Sequence, residues 1–188
     1  KKIELDEKYL FKITQIVENN TKNQIDLYPY AQITRNKIPE DIQNFYISHE
    51  GFIGVFDEEL KEDDYDDVEE KKIVREANKG WLGITDKYWM TALVPTQGES
   101  FKSSFLYKEA FKANYILNTP TKIKSSAKNS NDIRLFVAAK EVQTIDNYAA
   151  DEKIEKLDLT IDWGWFYFFT KPLFFVIDYL FKISGNFG

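Results

Sequence analysis

Short segments in which apolar and polar residues alternate recur through most of this 188-residue chain, and they limit its fold more than any other feature. In the first segment Tyr9, Phe11, Ile13 and Val17 share one parity, whereas polar residues occupy much of the other parity. A period of two is typical of a strand with one buried face. Turn residues separate the segments at short intervals, and this spacing predicts an antiparallel β-sandwich rather than alternating strands and helices.

The alternation and the turn clusters predict strands at residues 9–17, 25–34, 45–48, 52–56, 73–77, 81–85, 88–94, 103–108, 110–118, 121–127 and 133–139. Pro29 lies inside the second segment and indicates an edge strand or a bulge, because proline has no backbone N–H to donate. Residues 129–132, Asn-Ser-Asn-Asp, predict a turn. Residues 57–72 carry ten acidic and three lysine side chains, which we interpret as a solvated connection with room for one strand.

The pattern changes after residue 140. Apolar residues at helical spacing predict a short helix over residues 141–151, and alternation predicts an extended segment over residues 157–162. The last 26 residues hold eleven aromatic and only three charged side chains. There a helix is predicted over residues 172–184, with Pro172 in its first turn and Gly185 at its end.

The carboxy-terminal helix is apolar over most of its circumference. Thr170 or Lys171 is placed to cap it, and its charges, Lys171, Asp178 and Lys182, fall on one narrow stripe. A helix that packs on a single sheet needs a narrower apolar face, so the excess surface predicts a further partner such as a bilayer interface. The pattern alone leaves open an ordinary core helix that is rich in aromatic residues.

The composition of the chain and the motifs that it lacks exclude several classes of function. The chain has no cysteine, which excludes a structural disulfide and a cysteine zinc site. Its net charge of -6 gives no basic footprint, so we set nucleic-acid binding aside. No run reaches the roughly 18 uncharged apolar residues of a spanning helix. Phosphate-loop, dinucleotide, zincin and serine-triad motifs are absent, and neither a cofactor nor a metal is expected.

Several patches, in order along the chain, resemble the large periplasmic domain of the YidC family of membrane-protein insertases. The most specific patch is residues 157–166, Leu-Asp-Leu-Thr-Ile-Asp-Trp-Gly-Trp-Phe, because its spacing of aromatic residues and glycine is unusual. It continues in Thr170-Lys171-Pro172-Leu173-Phe174 and in Gly185-Asn186-Phe187-Gly188. The other patches are residues 80–89 with Val94-Pro95, Tyr28-Pro29-Tyr30, His49-Glu50-Gly51 and Gly54-Val55.

The resemblance implies a supersandwich-like β-domain over residues 1–156, with amino-terminal strands missing. Residues 157–188 would then be a linker and an amphipathic interfacial helix that leads to a transmembrane helix outside this chain. The family inserts and folds inner-membrane proteins, alone or with the Sec translocon, and its insertion machinery lies elsewhere. The resemblance therefore implies a non-catalytic module at the periplasmic face of the inner membrane. Its expected partners are SecDF-type Sec components, nascent membrane proteins and the membrane surface, and the isolated domain is expected to be a monomer.

The resemblance also favours an interfacial role for the carboxy-terminal segment. The residues expected to contact the membrane or a partner are Trp163, Trp165, Phe166, Phe168, Phe169, Leu173, Val176, Leu180 and Ile183.

The competing hypothesis is a glycan- or peptide-binding sandwich with a cleft. Its candidate residues are His49, Glu50, Trp81, Tyr88 and Trp89, since a histidine and a carboxylate serve acid–base chemistry and aromatic rings stack on sugars. A structural histidine beside a turn glycine, and aromatic residues in the core, are the more common outcomes. The acidic run within residues 57–70 lacks the order of a calcium loop. A third hypothesis is a partner-binding apolar patch away from the helix.

Overall fold

The computed structural model of the chain describes residues 1–40, 48–164 and 167–185. Thirteen strands lie within these residues: β1 (Lys2–Leu5), β2 (Leu10–Glu18), β3 (Ile25–Leu27), β4 (Tyr30–Arg35), β5 (Gly51–Phe56), β6 (Glu59–Asp63), β7 (Ile73–Ala77), β8 (Gly80–Thr85), β9 (Trp89–Val94), β10 (Phe101–Lys108), β11 (Ala110–Leu117), β12 (Thr121–Ile123) and β13 (Lys128–Ala139). The helices are α1 (Tyr65–Glu70), α2 (Val142–Asp151), a 3-10 helix (Leu157–Thr160) and α3 (Tyr167–Ser184).

The strands form antiparallel sheets that confirm the predicted sandwich. The large sheet has seven strands in the order β1-β2-β13-β9-β8-β5-β6, and a smaller sheet has four in the order β4-β11-β10-β7. β3 and β12 pair as a separate two-stranded ribbon. The fold class is therefore mainly β, with a short helix α2 and a carboxy-terminal helix, as the pattern predicts.

An aromatic core fills the space between the two large sheets. Phe52 of β5 lies 4.9 Å from Phe105 of β10 between ring centroids, and Tyr65 of α1 lies 4.8 Å from Phe111 of β11. All four side chains are buried. A large apolar side chain that is fully buried stabilises a fold by about 1.5–3 kcal/mol, so this layer dominates the stability of the sandwich.

A second core lies on the opposite face of the seven-stranded sheet. Trp81, Phe136 and Met90 project from that face and pack with Ile145 of α2 and with Leu157 of the 3-10 helix. Every residue of β5 and of β8 is therefore buried, because these central strands are covered on both faces. This double coverage explains why residues 52–56 and 81–85 read as nearly continuous apolar runs instead of clean alternations.

Two predicted strand boundaries are wrong. Residues 25–34 form two strands in different sheets, β3 and β4, because the chain changes sheet at Pro29, which has no N–H for a continuous ladder. The predicted turn at residues 129–132 lies instead within β13, where Asp132 is opposite Thr14 and accepts a 2.7 Å hydrogen bond from its hydroxyl. Ladder pairing with β2 overrides the local turn preference of these polar residues.

Other boundaries differ in smaller ways. The strand predicted at residues 121–127 ends at Ile123, and the strand predicted at residues 45–48 lies outside the described residues except for Ser48, which is a bend. Residues 57–72 contain the anticipated strand, β6, but also the unpredicted helix α1. Tyr65 and Val68, three residues apart, are both buried in the inter-sheet core, and this contact favours a helical turn over a solvated loop.

The segments near the carboxy terminus also differ from the sequence pattern. Residues 157–162 are not extended, because Leu157 and Thr160 are both buried at the three-residue spacing of a 3-10 turn. α3 begins at Tyr167 rather than Pro172, so Pro172 lies in the second turn and neither Thr170 nor Lys171 is the cap. Proline costs one backbone hydrogen bond there, which the rest of the 18-residue helix tolerates.

Candidate functional site

α3 carries an apolar surface that the sandwich does not cover. At 1.5 Å per residue its 18 residues span about 27 Å. Ten of its large apolar side chains are between 38% and 68% exposed. They are Phe168, Phe169, Leu173, Phe174, Phe175, Val176, Ile177, Tyr179, Leu180 and Ile183. An uncovered apolar surface of this extent on a single helix is typical of sites that meet another apolar phase or a partner.

One lysine attaches α3 to the sandwich. The Lys171 ammonium lies 3.1 Å from a carboxylate oxygen of Asp146 on α2 and 4.0 Å from one of Asp158 in the 3-10 helix. Its side chain is only 27% exposed. The charged stripe of α3 therefore faces the sandwich at its first end, and Asp178 and Lys182 farther along pair with each other at 2.6 Å. This orientation leaves the apolar perimeter of the helix turned away from its own domain.

Trp163 completes the attachment. Its carbonyl accepts a 2.8 Å hydrogen bond from the Thr170 hydroxyl, and its ring makes an edge-to-face contact with Phe174 at 5.5 Å. The Lys171 ammonium lies 5.9 Å from the same ring, within the range of a cation–π interaction. We call Trp163, Thr170, Lys171 and Phe174 the helix base. Within the described residues, the buried Trp163 indole N–H has no hydrogen-bond acceptor.

Two glycines, Gly164 and Gly185, lie on either side of α3. Gly164 has a φ of +69°, a left-handed conformation that glycine adopts without strain, and its N–H donates to the Asp162 carboxylate at 2.7 Å. The chain therefore turns at Gly164, between the 3-10 helix and α3. Gly185 also has a φ of +69°, and its N–H donates to the Phe181 carbonyl at 2.7 Å. The predicted helix end at Gly185 is thus confirmed.

The predicted interface residues fall into three groups. Those on α3 are exposed: Phe168, Phe169, Leu173, Val176, Leu180 and Ile183. All of these except Phe168 are spaced by four and three residues in turn, which places five side chains on one face opposite Lys171. Trp163 is instead half-buried in the helix base. Trp165 and Phe166 lie outside the described residues, and the interfacial role of the whole set stays a prediction.

The candidate cleft residues are not brought together. His49 Nε2 lies 2.9 Å from the Phe52 carbonyl, and Nδ1 lies 3.6 Å from the Asp64 carboxylate, an arrangement that fixes the turn before β5. Trp81 is 0% exposed in the second core, where its indole N–H donates to the Glu155 carbonyl at 3.1 Å. Glu50 is half-buried beside Gly51.

Tyr88 and Trp89 differ from this group because they lie on the surface. The core position expected for aromatic residues in strands is found for Trp81, whereas these two side chains are exposed at the β8–β9 hairpin. Among the residues that the structure describes, His49, Glu50, Trp81, Tyr88 and Trp89 therefore do not converge on one cleft.

The acidic run has structural contacts of its own. Asp63 forms a salt bridge with Arg75 at 2.7 Å, and the Asp57 carboxylate accepts hydrogen bonds from the backbone N–H groups of Asn78 and Lys79 at 2.8 and 3.1 Å. Within residues 1–40, 48–164 and 167–185, no group of three or more acidic or histidine side chains is arranged to hold a metal. These carboxylates thus stabilise turns and strand pairs of the sandwich.

Sequence reasoning missed Asp146 and Asp158 as partners of Lys171. Both aspartates lie on polar faces of short segments, and no local pattern distinguishes them from other solvated carboxylates. The sequence does contain one signal for such a contact, which is Lys171 itself. A single cation in a long uncharged segment requires an anionic partner if its helix lies against a domain. In the described part of the chain, no helix combines the length and hydropathy needed to cross a bilayer.

Comparison with known proteins gives one consistent result. A family model described as the YidC periplasmic domain matches residues 1–176. A protein of Pelagibacter ubique named "Membrane protein insertase YidC" is 47% identical over 188 residues, which are 100% of this chain and 34% of that protein.

Two further relatives carry the same name. The Agrobacterium fabrum protein is 40% identical over 195 residues, and the Brucella melitensis protein is 38% identical over 192 residues; each alignment covers 99% of this chain and 32% of the relative. The chain thus spans about a third of the length of the curated relatives that it matches. With the antiparallel sandwich already described, these matches show that the chain belongs to the YidC periplasmic domain family.

Proposed function

We propose that this chain is the periplasmic module of a membrane-protein insertase, and that α3 lies at the bilayer interface and couples the sandwich to the membrane. One observation carries the proposal: the apolar side chains of α3 are exposed, while Lys171 turns the charged stripe toward the sandwich. A helix that hid its apolar face in its own domain would show the reverse orientation. The proposed site is the exposed set on α3, together with Trp163, Trp165 and Phe166.

Interface chemistry fits this helix. Burying a large apolar side chain is worth about 1.5–3 kcal/mol, so even partial burial of Phe169, Leu173, Val176, Leu180 and Ile183 gives a net attraction after ordering costs. Tyr179 has an amphipathic ring of the kind that favours the headgroup region. Asp178 and Lys182 pair with each other, which lowers the cost of bringing their charges close to lipid.

The finer parts of the proposal depend on the family. The named relatives are insertases, and from them we infer that the complete protein inserts and folds inner-membrane proteins, alone or with the Sec translocon. Nascent membrane proteins and SecDF-type components are the proposed partners. The module would act by docking rather than catalysis, as a monomer, on the periplasmic side of the inner membrane. The scattered positions of His49, Trp81 and Trp89 are in keeping with a docking role.

The proposal is tested by co-sedimentation of the chain with phosphatidylcholine/phosphatidylglycerol vesicles. We expect the wild-type chain to bind, and the triple variant L173D/V176D/L180D to lose most of that binding, because three charges enter the exposed apolar face. Circular dichroism must show that the variant keeps its strands. Equal binding of wild type and variant would remove the membrane role of α3.

A matched control uses the same chemical change on the sandwich. Ile16, Val74 and Ile116 are exposed apolar residues of β2, β7 and β11. The triple variant I16D/V74D/I116D adds the same charge without touching α3. We expect it to bind vesicles like the wild-type chain, which would separate the role of the helix from a general effect of negative charge.

A further inference from the structure

A second aromatic surface lies at the end of the large sheet where β13 finishes. Tyr88 and Trp89 are 66% and 61% exposed, although the next residue, Met90, is buried. Trp89 is opposite Ala139 in the β9–β13 ladder, so its side chain shares a sheet face with the partly exposed Val137. We call Tyr88, Trp89 and Val137 the hairpin patch.

The backbone under the hairpin patch is held firmly. The Asp86 N–H donates to the Trp89 carbonyl at 2.8 Å and closes the turn. The Lys140 N–H donates to the Tyr88 carbonyl at 2.8 Å, and two Arg35 nitrogens lie 2.5 and 3.1 Å from the Asp86 carboxylate. The two aromatic side chains are therefore exposed on a fixed support. Rigid aromatic groups lose little conformational entropy when they bind.

The chemistry of the hairpin patch matches a lipid headgroup region. Tryptophan and tyrosine are enriched at membrane–water boundaries, because each ring has an apolar body and a polar group. The Lys87 ammonium lies 5.2 Å from the Tyr88 ring centroid and adds a cation at the tip. An ammonium beside amphipathic rings suits lipid phosphates better than it suits a dry protein interface, from which lysine is depleted.

The hairpin patch lies near the helix base, and α2 links the two. Lys140, whose N–H holds Tyr88, directly precedes the residues that begin α2. Asp146, in the second turn of α2, lies 3.1 Å from the Lys171 ammonium of the helix base. About one turn of α2 therefore separates the strand end that is bonded to the hairpin from the residue that holds α3. A membrane surface that contacts α3 near the helix base would therefore lie close to the hairpin patch.

We propose that the hairpin patch is a second membrane contact, which enters the lipid headgroup region while α3 lies at the interface. This inference rests on the membrane contact proposed for α3. A single helix at an interface leaves the attached domain free to tilt about its attachment. A second contact away from the helix removes that freedom and fixes one orientation of the sandwich on the bilayer.

The test compares two pairs of substitutions in the intact chain. Y88S/W89S removes both rings, and we expect the vesicle partition coefficient to fall about tenfold with α3 unchanged. Y28S/Y30S removes two exposed tyrosines toward the opposite end, where Tyr28 borders a cavity with Asn129 near the start of β13. That control should bind like the wild-type chain. Circular dichroism checks that both variants are folded.

A fluorescence measurement reports on Trp89 directly. The wild-type emission minus that of W89F isolates Trp89, and with vesicles of lipids brominated in the upper acyl chain we expect this signal to be quenched. If the wild-type chain binds vesicles while Y88S/W89S binds equally and Trp89 is unquenched, the hairpin contact is refuted and the role of α3 stands. If the wild-type chain does not bind vesicles, both proposals are wrong.

Discussion

The sandwich and α3 are both rich in large apolar residues, but they place them in opposite environments. In the sandwich, Phe52, Trp81 and Leu82 are 0% exposed, and the central strands are covered on both faces. On α3, Val176 and Leu180 are more than half exposed. The number of apolar residues in a segment thus shows only that the segment requires an apolar environment. The positions of its few charged residues indicate whether that environment is the protein's own core.

The two regions also differ in how they are held. Each central strand of the sandwich is joined to two neighbours by a backbone ladder, so many hydrogen bonds and apolar contacts must break together. The contacts that attach α3 to the sandwich include the helix base, where one ion pair, one hydrogen bond and one ring contact meet. We therefore expect the sandwich to set the global stability of the chain and α3 to respond to its surroundings.

The largest expected effect comes from the same truncation in each region. Leu82→Ala empties a site in the inter-sheet core and should lower the free energy of unfolding by about 2–5 kcal/mol. Leu180→Ala removes an exposed side chain and should change it by less than about 0.5 kcal/mol. Urea denaturation measures both. A large loss for Leu180→Ala would mean that α3 is packed into the fold and would contradict its exposed position.

A smaller effect is expected at the helix base. Lys171→Met keeps a long side chain but removes the cation shared by Asp146 and Asp158, which should cost at most about 1 kcal/mol in global stability. The change should be local: amide hydrogen exchange in residues 173–177, whose N–H groups are bonded within α3, should become faster, while exchange in β5 and β8 stays the same. Lys182→Met, which removes the pair with Asp178 farther along α3, is the matched control. Equal exchange in the two variants would show that Lys171 does not attach the helix.

The smallest expected effect depends on pH and concerns the sandwich alone. Burial raises the pKa of Asp6, but hydrogen bonds from the Tyr148 hydroxyl and from the Leu10 and Lys8 N–H groups outweigh it, so the pKa lies below its usual 3.8. The ionised form is the one that is stabilised. The ionised carboxylate therefore adds to the free energy of unfolding in full above the usual pKa of 3.8. This contribution is lost as the pH falls through the lower pKa of Asp6 in the folded chain.

Asp6→Asn therefore should reduce the free energy of unfolding at pH 7 by less than about 1 kcal/mol, because solvent screens this largely exposed group. The difference from wild type should shrink when urea denaturation is repeated at pH 3 and below. A difference that is constant with pH would show that the Asp6 carboxylate charge does not contribute to stability.

The sequence predicted the sandwich well because period-two alternation and turn clusters are local signals. It failed where a distant contact decided the structure. Residues 129–132 have strong turn preferences, but pairing with β2 makes them strand. Leu157 and Thr160 follow an alternating pattern, but packing beneath α2 makes a 3-10 turn.

The candidate site shows the same division. The helical spacing of apolar and charged residues in the sequence predicted both the apolar perimeter of α3 and its narrow charged stripe. The partners of Lys171 were not, because Asp146 lies 25 residues away and only the folded chain brings it near. The proposed boundary between residues 156 and 157 stays a prediction, although Leu157 packs in the second core, so the first linker residues contact the sandwich.

The most direct measurement is the depth of α3 in a bilayer. The chain has no cysteine, so single cysteines can be placed along residues 173–183 for spin labels. When phosphatidylcholine/phosphatidylglycerol vesicles are added, the accessibility of the spin labels to oxygen should increase. The increase should vary along the helix with its period, with maxima at positions 173, 176, 180 and 183 and minima at 178 and 182. A profile that is the same with and without vesicles would contradict the interfacial role of α3.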